Sequence, residues 1–168
     1  MSDRDVRFDI DATGSPFTVS WTRPDSGDGF LVMDRDDDGV IADGRELFGN
    51  ATPLSWTLVG PRAAHGLEAL EFFDQMANGG NADGQINAVD SVFARLSVWI
   101  DTDHDGVSQA GELKSAMEAG IVSIDVSKRE SGRRDQFGNF YRFRAPAVLN
   151  KDGGRSVRYV YDVFFTWR

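Results

Sequence analysis

Residues 101–112 read DTDHDGVSQAGE, a run in which acidic side chains recur at every second position up to a glycine. An EF-hand-type loop surrounds Ca²⁺ with oxygens by placing carboxylates at positions 1, 3 and 5, glycine at 6 and glutamate at 12. Carboxylates crowded into one loop repel each other unless a cation neutralises them. The run therefore predicts a calcium site, and a solvated acidic turn is the less favoured alternative. The predicted ligands are Asp101, Asp103, Asp105, the carbonyl of Val107, Gln109 and Glu112.

A second acidic run, residues 34–46, reads DRDDDGVIADGRE. Its acids again take positions 1, 3 and 5, and a glycine takes position 6. The closing acid comes one residue late, because Arg45 stands at position 12 and Glu46 at position 13. We interpret this run as a 13-residue variant of the same loop. Its predicted ligands are Asp34, Asp36, Asp38, the carbonyl of Val40, and Glu46.

Residues 74–90 hold an incomplete copy of the pattern. Gly79 falls at position 1 and offers no side-chain ligand, whereas Asp74 could supply one if residues 75–80 bulge outward. The sequence leaves two readings open here, a weaker third calcium site or a metal-free turn. The candidate ligands are Asp74, Asn81, Asp83, Gln85, Asn87 and Asp90. A fourth short run, residues 9–14, has no closing acid, and we interpret it as a β-turn with exposed acids.

Hydrophobic periodicity predicts an α+β fold, in which short helices are linked by EF-hand-type calcium loops. Apolar residues at helical spacing predict helices over 66–77, 90–100 and 112–119. Alternation predicts strands over 17–21, 30–33, 121–126, 139–145 and 156–165, with a hairpin turn at 150–154. The helical region is thus flanked by short N-terminal strands and a C-terminal antiparallel hairpin or meander. We divide the chain into a calcium-binding region, residues 1–126, and a β-rich extension, residues 127–168, packed on the same domain.

Composition excludes several kinds of function. The chain has no cysteine and two histidines among its 168 residues, which excludes disulfides and thiolate catalysis and makes a zinc site improbable. The net charge of −9 divides into −14 for residues 1–120 and +5 for the remainder, so the chain as a whole repels nucleic acid. No apolar run approaches the roughly 20 residues of a membrane span, and the N-terminus lacks the apolar core of a signal peptide. Because no nucleophile–base set is recognisable, we expect a protein that is not an enzyme.

Six segments around the acidic runs carry a family resemblance. They are GDGFLVMD (27–34), ELFG (46–49), DGQIN (83–87), VWID (98–101), DGVSQ (105–109) and GIVSI (120–124). In this order they resemble the EF-hand-like calcium-binding region of large secreted bacterial RTX-type and haemolysin-like proteins. That family includes the self-processing module of iron-regulated RTX proteins. The resemblance covers about residues 8–126.

The resemblance implies a secreted or cell-surface bacterial protein whose segment is ordered by at least two calcium ions. It implies no nucleic-acid partner, and leaves another protein or neighbouring domains of a parent chain as the partner. Some relatives cut themselves at an Asp-Pro bond when calcium binds, but this sequence contains no Asp-Pro dipeptide. We therefore expect a calcium-binding structural or interaction module. The alternative is a self-processing or hydrolytic domain that uses calcium structurally.

Overall fold

Most of the regular structure in this chain is β-strand. The structure, a computed structural model, describes residues 1–24, 26–151 and 153–167. Within them lie ten strands, one α-helix and two 3-10 helices. In chain order these are β1 (Arg4–Phe8), β2 (Phe17–Ser20), β3 (Phe30–Val32), α1 (Gly66–Asp74), a 3-10 helix (Met76–Asn78), β4 (Gln85–Asn87), a second 3-10 helix (Ser91–Arg95), β5 (Ser97–Trp99), β6 (Leu113–Ser115), β7 (Ile121–Asp125), β8 (Arg129–Arg134), β9 (Phe140–Lys151) and β10 (Gly154–Phe164).

The strands form three antiparallel sheets. Strands β1 and β2 make a two-stranded sheet, and a three-stranded sheet has the order β3-β5-β6. The largest sheet has the order β10-β9-β7-β4, and β8 pairs with one end of β9. The acidic run at 34–46 follows β3, and the run at 101–112 connects β5 to β6, so both runs begin just after a strand of the three-stranded sheet.

Two hydrophobic clusters hold these sheets together. One is aromatic and joins β1, β2, β3 and β5, with Trp21 and Trp99 fully buried at its centre. The other packs α1 against β4, β7 and β9, with Phe73 and Ile124 fully buried. Burial of large apolar side chains is the main favourable term in folding, so these clusters fix the sheets that present the acidic loops.

The predicted α+β fold class, with helices linked by EF-hand-type loops, is wrong. The structure is mainly β-sheet and has a single α-helix among its described residues. Of the three predicted helices only the one over 66–77 forms, as α1, with Leu67, Leu70 and Phe73 buried. His65 caps this helix, since its Nδ1 accepts the N–H of Glu68 at 3.0 Å.

Backbone pairing explains why the other two predicted helices do not form. In 90–100 the 3-10 helix ends at Arg95, and residues 97–99 pair with β3 on one side and β6 on the other. In 112–119 residues 113–115 supply β6, and a turn follows, closed by Gly120 at φ 78°. The apolar spacing that suggested helices is equally satisfied by a short turn followed by an alternating strand.

The strands predicted near the two ends of the chain do form, as β2, β3, β7, β9 and β10. Strand β7 pairs with β9, so backbone hydrogen bonds cross the predicted boundary at residue 126. Strands β9 and β10 pair antiparallel on either side of the predicted hairpin turn, within which Asp152 lies outside the described residues. Across the described ranges we find no helix with the length and apolarity that crossing a bilayer requires.

Candidate metal centre

Two groups of three aspartates converge in space. Carboxylate oxygens of Asp101, Asp103 and Asp105 all lie within 4.8 Å of one another, and so do those of the second group. The second group is Asp34, Asp36 and Asp38. Oxygens bound to one Ca²⁺ at 2.3–2.6 Å are separated by such distances, so each group has the spacing of a shared cation site.

Backbone geometry explains this convergence. In the 101–112 loop the Asp101 carboxylate accepts the N–H groups of Asp105 at 3.2 Å and Gly106 at 2.9 Å. In the 34–46 loop Asp34 accepts those of Asp38 at 3.3 Å and Gly39 at 2.8 Å. The aspartate at position 1 thus folds the following five residues around itself, which turns the side chains at 3 and 5 toward one point.

The same backbone conformation occurs four times among the described residues. Each copy has a left-handed residue at position 4 and a left-handed glycine at position 6, which is the residue type that tolerates this conformation best. The position 4 residues and their φ values are Ala12 (54°), Asp37 (60°), Ala82 (58°) and His104 (64°). The glycines are Gly14, Gly39, Gly84 and Gly106.

In the 74–90 loop Asp74 occupies position 1. Its carboxylate accepts the N–H groups of Asp83 at 3.2 Å and Gly84 at 3.0 Å, as the position 1 aspartates of the other two loops do. Residues 75–80 form the outward excursion, which includes a 3-10 helix. Asn81 and Asp83 take positions 3 and 5, but Asn81 Nδ2 donates to Asp83 at 2.9 Å, so an amide replaces the third carboxylate.

The run at 9–14 differs from its sequence-based interpretation. Asp9 is 7% exposed and accepts the N–H groups of Thr13 at 3.0 Å and Gly14 at 2.8 Å. Its carboxylate therefore organises a loop of the same type, whereas the sequence suggested a turn with exposed acids. Threonine and not an acid stands at position 5, and no closing acid follows the run, so the sequence did not show the similarity to the other loops.

The closing acid of each loop lies in the interior and binds backbone. Glu46 is 2% exposed and accepts the N–H groups of Arg35 at 3.0 Å and Ala42 at 2.8 Å. Glu112 is 6% exposed and accepts the N–H of Thr102 at 2.6 Å. In the 74–90 loop Asp90 has the same role, accepting from Asn87 at 2.7 Å. These acids tie the end of each loop to its beginning, whether the loop has twelve or thirteen residues.

Two buried indoles hold the ends of the 101–112 loop. Trp21 Nε1 donates to Asp101 at 2.7 Å, and Trp99 Nε1 donates to Glu112 at 3.2 Å. The aromatic cluster is thereby connected directly to the first and last acids of the loop. Trp21 lies 80 residues before its partner, so no local pattern could have revealed this contact.

The 34–46 and 101–112 loops also touch each other. The N–H of Ile41 donates to Oγ of Ser108 at 2.7 Å, and Ser108 is 6% exposed. Both residues stand at position 8 of their loops. This contact was missed as well, since a serine within an acidic loop carries no distinguishing signal.

The loops lie in a segment of sequence that this chain shares with known proteins. The family model described as the SPM domain matches residues 1–166. The chain belongs to the SPM domain family. It is similar to iron-regulated protein FrpA of Neisseria meningitidis serogroup C, with 39% identity over 132 residues. The similarity covers 79% of this chain and 11% of that relative, so the chain spans only a small part of the relative's length. Both findings support the relation to RTX-type proteins.

The donor set of this SPM domain fits a hard cation. In the 101–112 loop Nε2 of Gln109 donates toward Asp103 and Asp105, at 3.4 and 3.1 Å, while its buried Oε1 has no hydrogen-bond partner among the described residues. Rotating the amide would present that oxygen to the same carboxylates, which a bound cation makes favourable. All the predicted side-chain donors are oxygens, as Ca²⁺ prefers.

Desolvation, neighbouring charges and hydrogen bonds shift the pKa values of several loop carboxylates. The pKa of Asp103 is raised, first by desolvation and then by the charges of Asp105, Glu112 and Asp101. Burial also raises the pKa of Glu46. The pKa of Glu112 is lowered despite desolvation, because it accepts hydrogen bonds from Thr102 and Trp99. The closing acids Glu46 and Glu112 are buried, whereas the carboxylates at positions 3 and 5 of both loops are exposed.

Proposed function

We propose that this SPM domain is a calcium-binding structural module, with one ion in the 34–46 loop and one in the 101–112 loop. The observation that carries the proposal is the convergence of three carboxylates in each loop within 4.8 Å. The ligands we assign are those of the sequence prediction, including the carbonyls of Val40 and Val107. A third ion in the 74–90 loop would have fewer carboxylate ligands, and the neutral amide oxygens of Asn81 and Asn87 would have to complete its coordination.

The chain's own residues suggest what calcium would do. A bound ion supplies the positive charge that the clustered carboxylates lack. The position 1 aspartates already fold the loops, and Glu112 already joins the loop's end to Trp99 and Thr102. Binding free energy at such sites is also folding free energy, because the unfolded chain has no assembled site. We therefore propose that calcium stabilises the three-stranded sheet through these two loops.

We further propose that the module acts within a larger exported protein. The support is the similarity to FrpA, of which the matched segment is 11%, together with the resemblance to secreted RTX-type proteins. In that setting the module would bind calcium outside the cell and contact neighbouring domains or another protein.

Calorimetric titration of metal-stripped protein with calcium tests the stoichiometry. We expect at least two ions per chain. Asp36→Asn and Asp103→Asn should each weaken one site and leave the other, because each removes one carboxylate from one triad. Glu71→Gln is the matched control, since Glu71 lies exposed on α1, outside all the loops. A count of zero or one in the unmodified protein would overturn the proposal.

We propose binding and not catalysis as the activity of this chain. The support is that the clustered carboxylates have the spacing of cation ligands and that the sequence has no Asp-Pro bond for the self-cleavage of some relatives. Mass spectrometry of the intact protein, after incubation with calcium or with EGTA, should give one unchanged mass. Calcium-dependent fragments would show instead that the self-processing alternative is right.

A further inference from the structure

Strand β10 is an unpaired edge of the largest sheet. It runs over Gly154–Phe164 and pairs with β9 alone. In the described part of the chain no backbone hydrogen bond connects these residues to any strand other than β9. Natural proteins usually protect such an edge with charged side chains, proline, bulges or a short strand. Here the strand is long, its first eight residues contain no proline, and the one bulge lies at Asp162/Val163, so the charges of Arg155 and Arg158 are the protection that remains.

The free edge opens into a cleft. The cleft has a volume of about 2260 Å³, and ten consecutive residues, 156–165, line it. Because successive residues of a strand point to opposite faces, the unbroken run places both faces of β10 along the cleft. The lining also includes residues 26–31 and 118–121, and α1 contributes Leu67 and Leu70.

The outer face of the sheet beside this edge is basic and aromatic. Register places Val157, Tyr159 and Tyr161 of β10 on this face, where they are 60%, 48% and 38% exposed. The guanidinium of Arg144 lies 4.9 Å from the centre of the Tyr159 ring. The arginines of this face in strands β8 to β10 are Arg129, Arg134, Arg142, Arg144 and Arg155.

No acid balances these arginines within the same strands. Their described ranges contain two acids, Glu130 and Asp162, and both pair with Phe143, which is buried on the inner face. Outer-face positions next to the edge therefore favour negatively charged neighbours. Inner-face positions border Ser156 and Arg158 at one end and, further along, Val160, which packs against the apolar cluster that includes Leu67 and Leu70 of α1.

We propose that the β10 edge binds an extended polypeptide segment in which acidic and apolar residues alternate. The segment adds to the sheet as a further strand, and main-chain hydrogen bonds to β10 provide affinity. Because side chains of a strand point alternately to the two faces, one set meets Arg144 and the tyrosines, and the other enters the cleft. Acidic side chains suit the first environment and apolar side chains the second.

A second copy of the chain is a poorer occupant. Antiparallel pairing of two β10 edges would join two arginine-rich faces in one continuous sheet, and like charges on neighbouring strands are destabilising. A strand with acidic side chains would instead place opposite charges beside these arginines, which stabilises the pairing.

The probe is an end-blocked, fluorescent eight-residue peptide of alternating glutamate and valine. One control replaces glutamate by lysine, and another methylates every second backbone nitrogen, which removes the donors needed for strand pairing. We expect the acidic peptide to bind, by fluorescence anisotropy, at least tenfold more tightly than either control, although the protein's net charge of −9 repels it overall. Hydrogen exchange should slow at alternate amides of β10.

Variants of the protein locate the site. Arg144→Gln should weaken binding several-fold, whereas Arg62→Gln, which changes an exposed arginine outside the cleft lining, should not. Circular dichroism checks that both variants fold. The proposal is overturned if all three peptides bind alike or none binds. It is also overturned if sedimentation shows a dimer that protects β10 without peptide. None of these readouts depends on the calcium count.

Discussion

At the residue scale, the acids of this chain divide into two kinds. Exposed aspartates at positions 3 and 5 converge on one point, and they accept hydrogen bonds from groups of their own loop, such as the N–H of Val107 and the amide of Gln109. Buried acids at the ends of the loops accept hydrogen bonds from backbone and indole donors. Glu112 belongs to the second kind, so we expect it to matter for the loop's shape as well as for calcium.

Glu112→Gln should therefore reduce calcium affinity at one site and also lower the stability of the metal-free protein. Glutamine keeps the shape of the side chain, but it removes the charge and one acceptor for the N–H groups of Thr102 and Trp99. Breaking hydrogen bonds to a buried charged acceptor costs about 1–3 kcal/mol. Calorimetry and urea unfolding in EGTA measure the two effects.

His104→Asn is the matched control for that variant. His104 stands at position 4 with φ 64°, a conformation that asparagine tolerates. Its ring contacts Asp5 at 3.0 Å and not the cluster of Asp101, Asp103 and Asp105. We expect near-normal calcium binding. If this variant binds calcium worse than Glu112→Gln, the ligand assignment of the 101–112 loop is wrong.

Asp162 provides a test by pH. It is 6% exposed, it accepts the N–H of Gly66 at 2.9 Å, and burial raises its pKa. An acid with a raised pKa gives stability that is full below its unfolded value of about 3.9 and is lost as pH rises through the folded pKa. Asp162→Asn stays neutral, so it should be more stable than the unmodified protein at pH 7.5. That advantage should shrink at pH 4.5 in urea unfolding; an advantage independent of pH would contradict the argument.

At the element scale, the repeated unit of this fold is the acidic loop, whose backbone conformation depends largely on residues close in sequence. An aspartate, a glycine five residues later and a closing acid are close in the chain, so the sequence located three loops and the candidate ligands within them. The β-strands beside them depend on partners far away, as β5 depends on β3 and β6. Spacing of apolar residues could not distinguish those strands from helices, and the predicted fold class failed there.

Contacts between loops were also beyond local sequence. The Ile41–Ser108 hydrogen bond joins residues 67 positions apart. Trp21 and Asp101 lie 80 positions apart. The Asp9 run was interpreted as a turn because no closing acid follows it, yet Asp9 accepts backbone N–H groups as the other position 1 aspartates do. Sequence thus predicted the candidate ligands within each loop, while the buried donors that position them required the three-dimensional structure.

Ser108→Ala tests whether the two loops act together. The change leaves the buried N–H of Ile41 without its acceptor, at a cost of about 1–3 kcal/mol. We expect lower thermal stability and less cooperative filling of the two calcium sites in a calorimetric titration. Ser115→Ala, in the connected strand β6 but remote from Ile41, is the control; equal effects of the two changes would argue against coupling through position 8.

At the scale of the whole molecule, the two loops lie on the same three-stranded sheet and are attached to the aromatic cluster. Neutralising their carboxylates should therefore stabilise the entire fold and not the loops alone. Because internal hydrogen bonds also hold the loops, we expect the apo protein to be less stable but still structured at low temperature.

The free energy of unfolding, measured in urea at increasing free calcium, tests the central claim most directly. Each site that fills only in the folded state adds RT ln(1 + [Ca²⁺]/Kd) to the free energy of unfolding. With two sites, stability should rise by about 2.7 kcal/mol for each tenfold increase in calcium above the dissociation constants. Asp36→Asn or Asp103→Asn should halve that slope while their mutated sites remain empty. A free energy of unfolding that does not change with calcium would contradict the account.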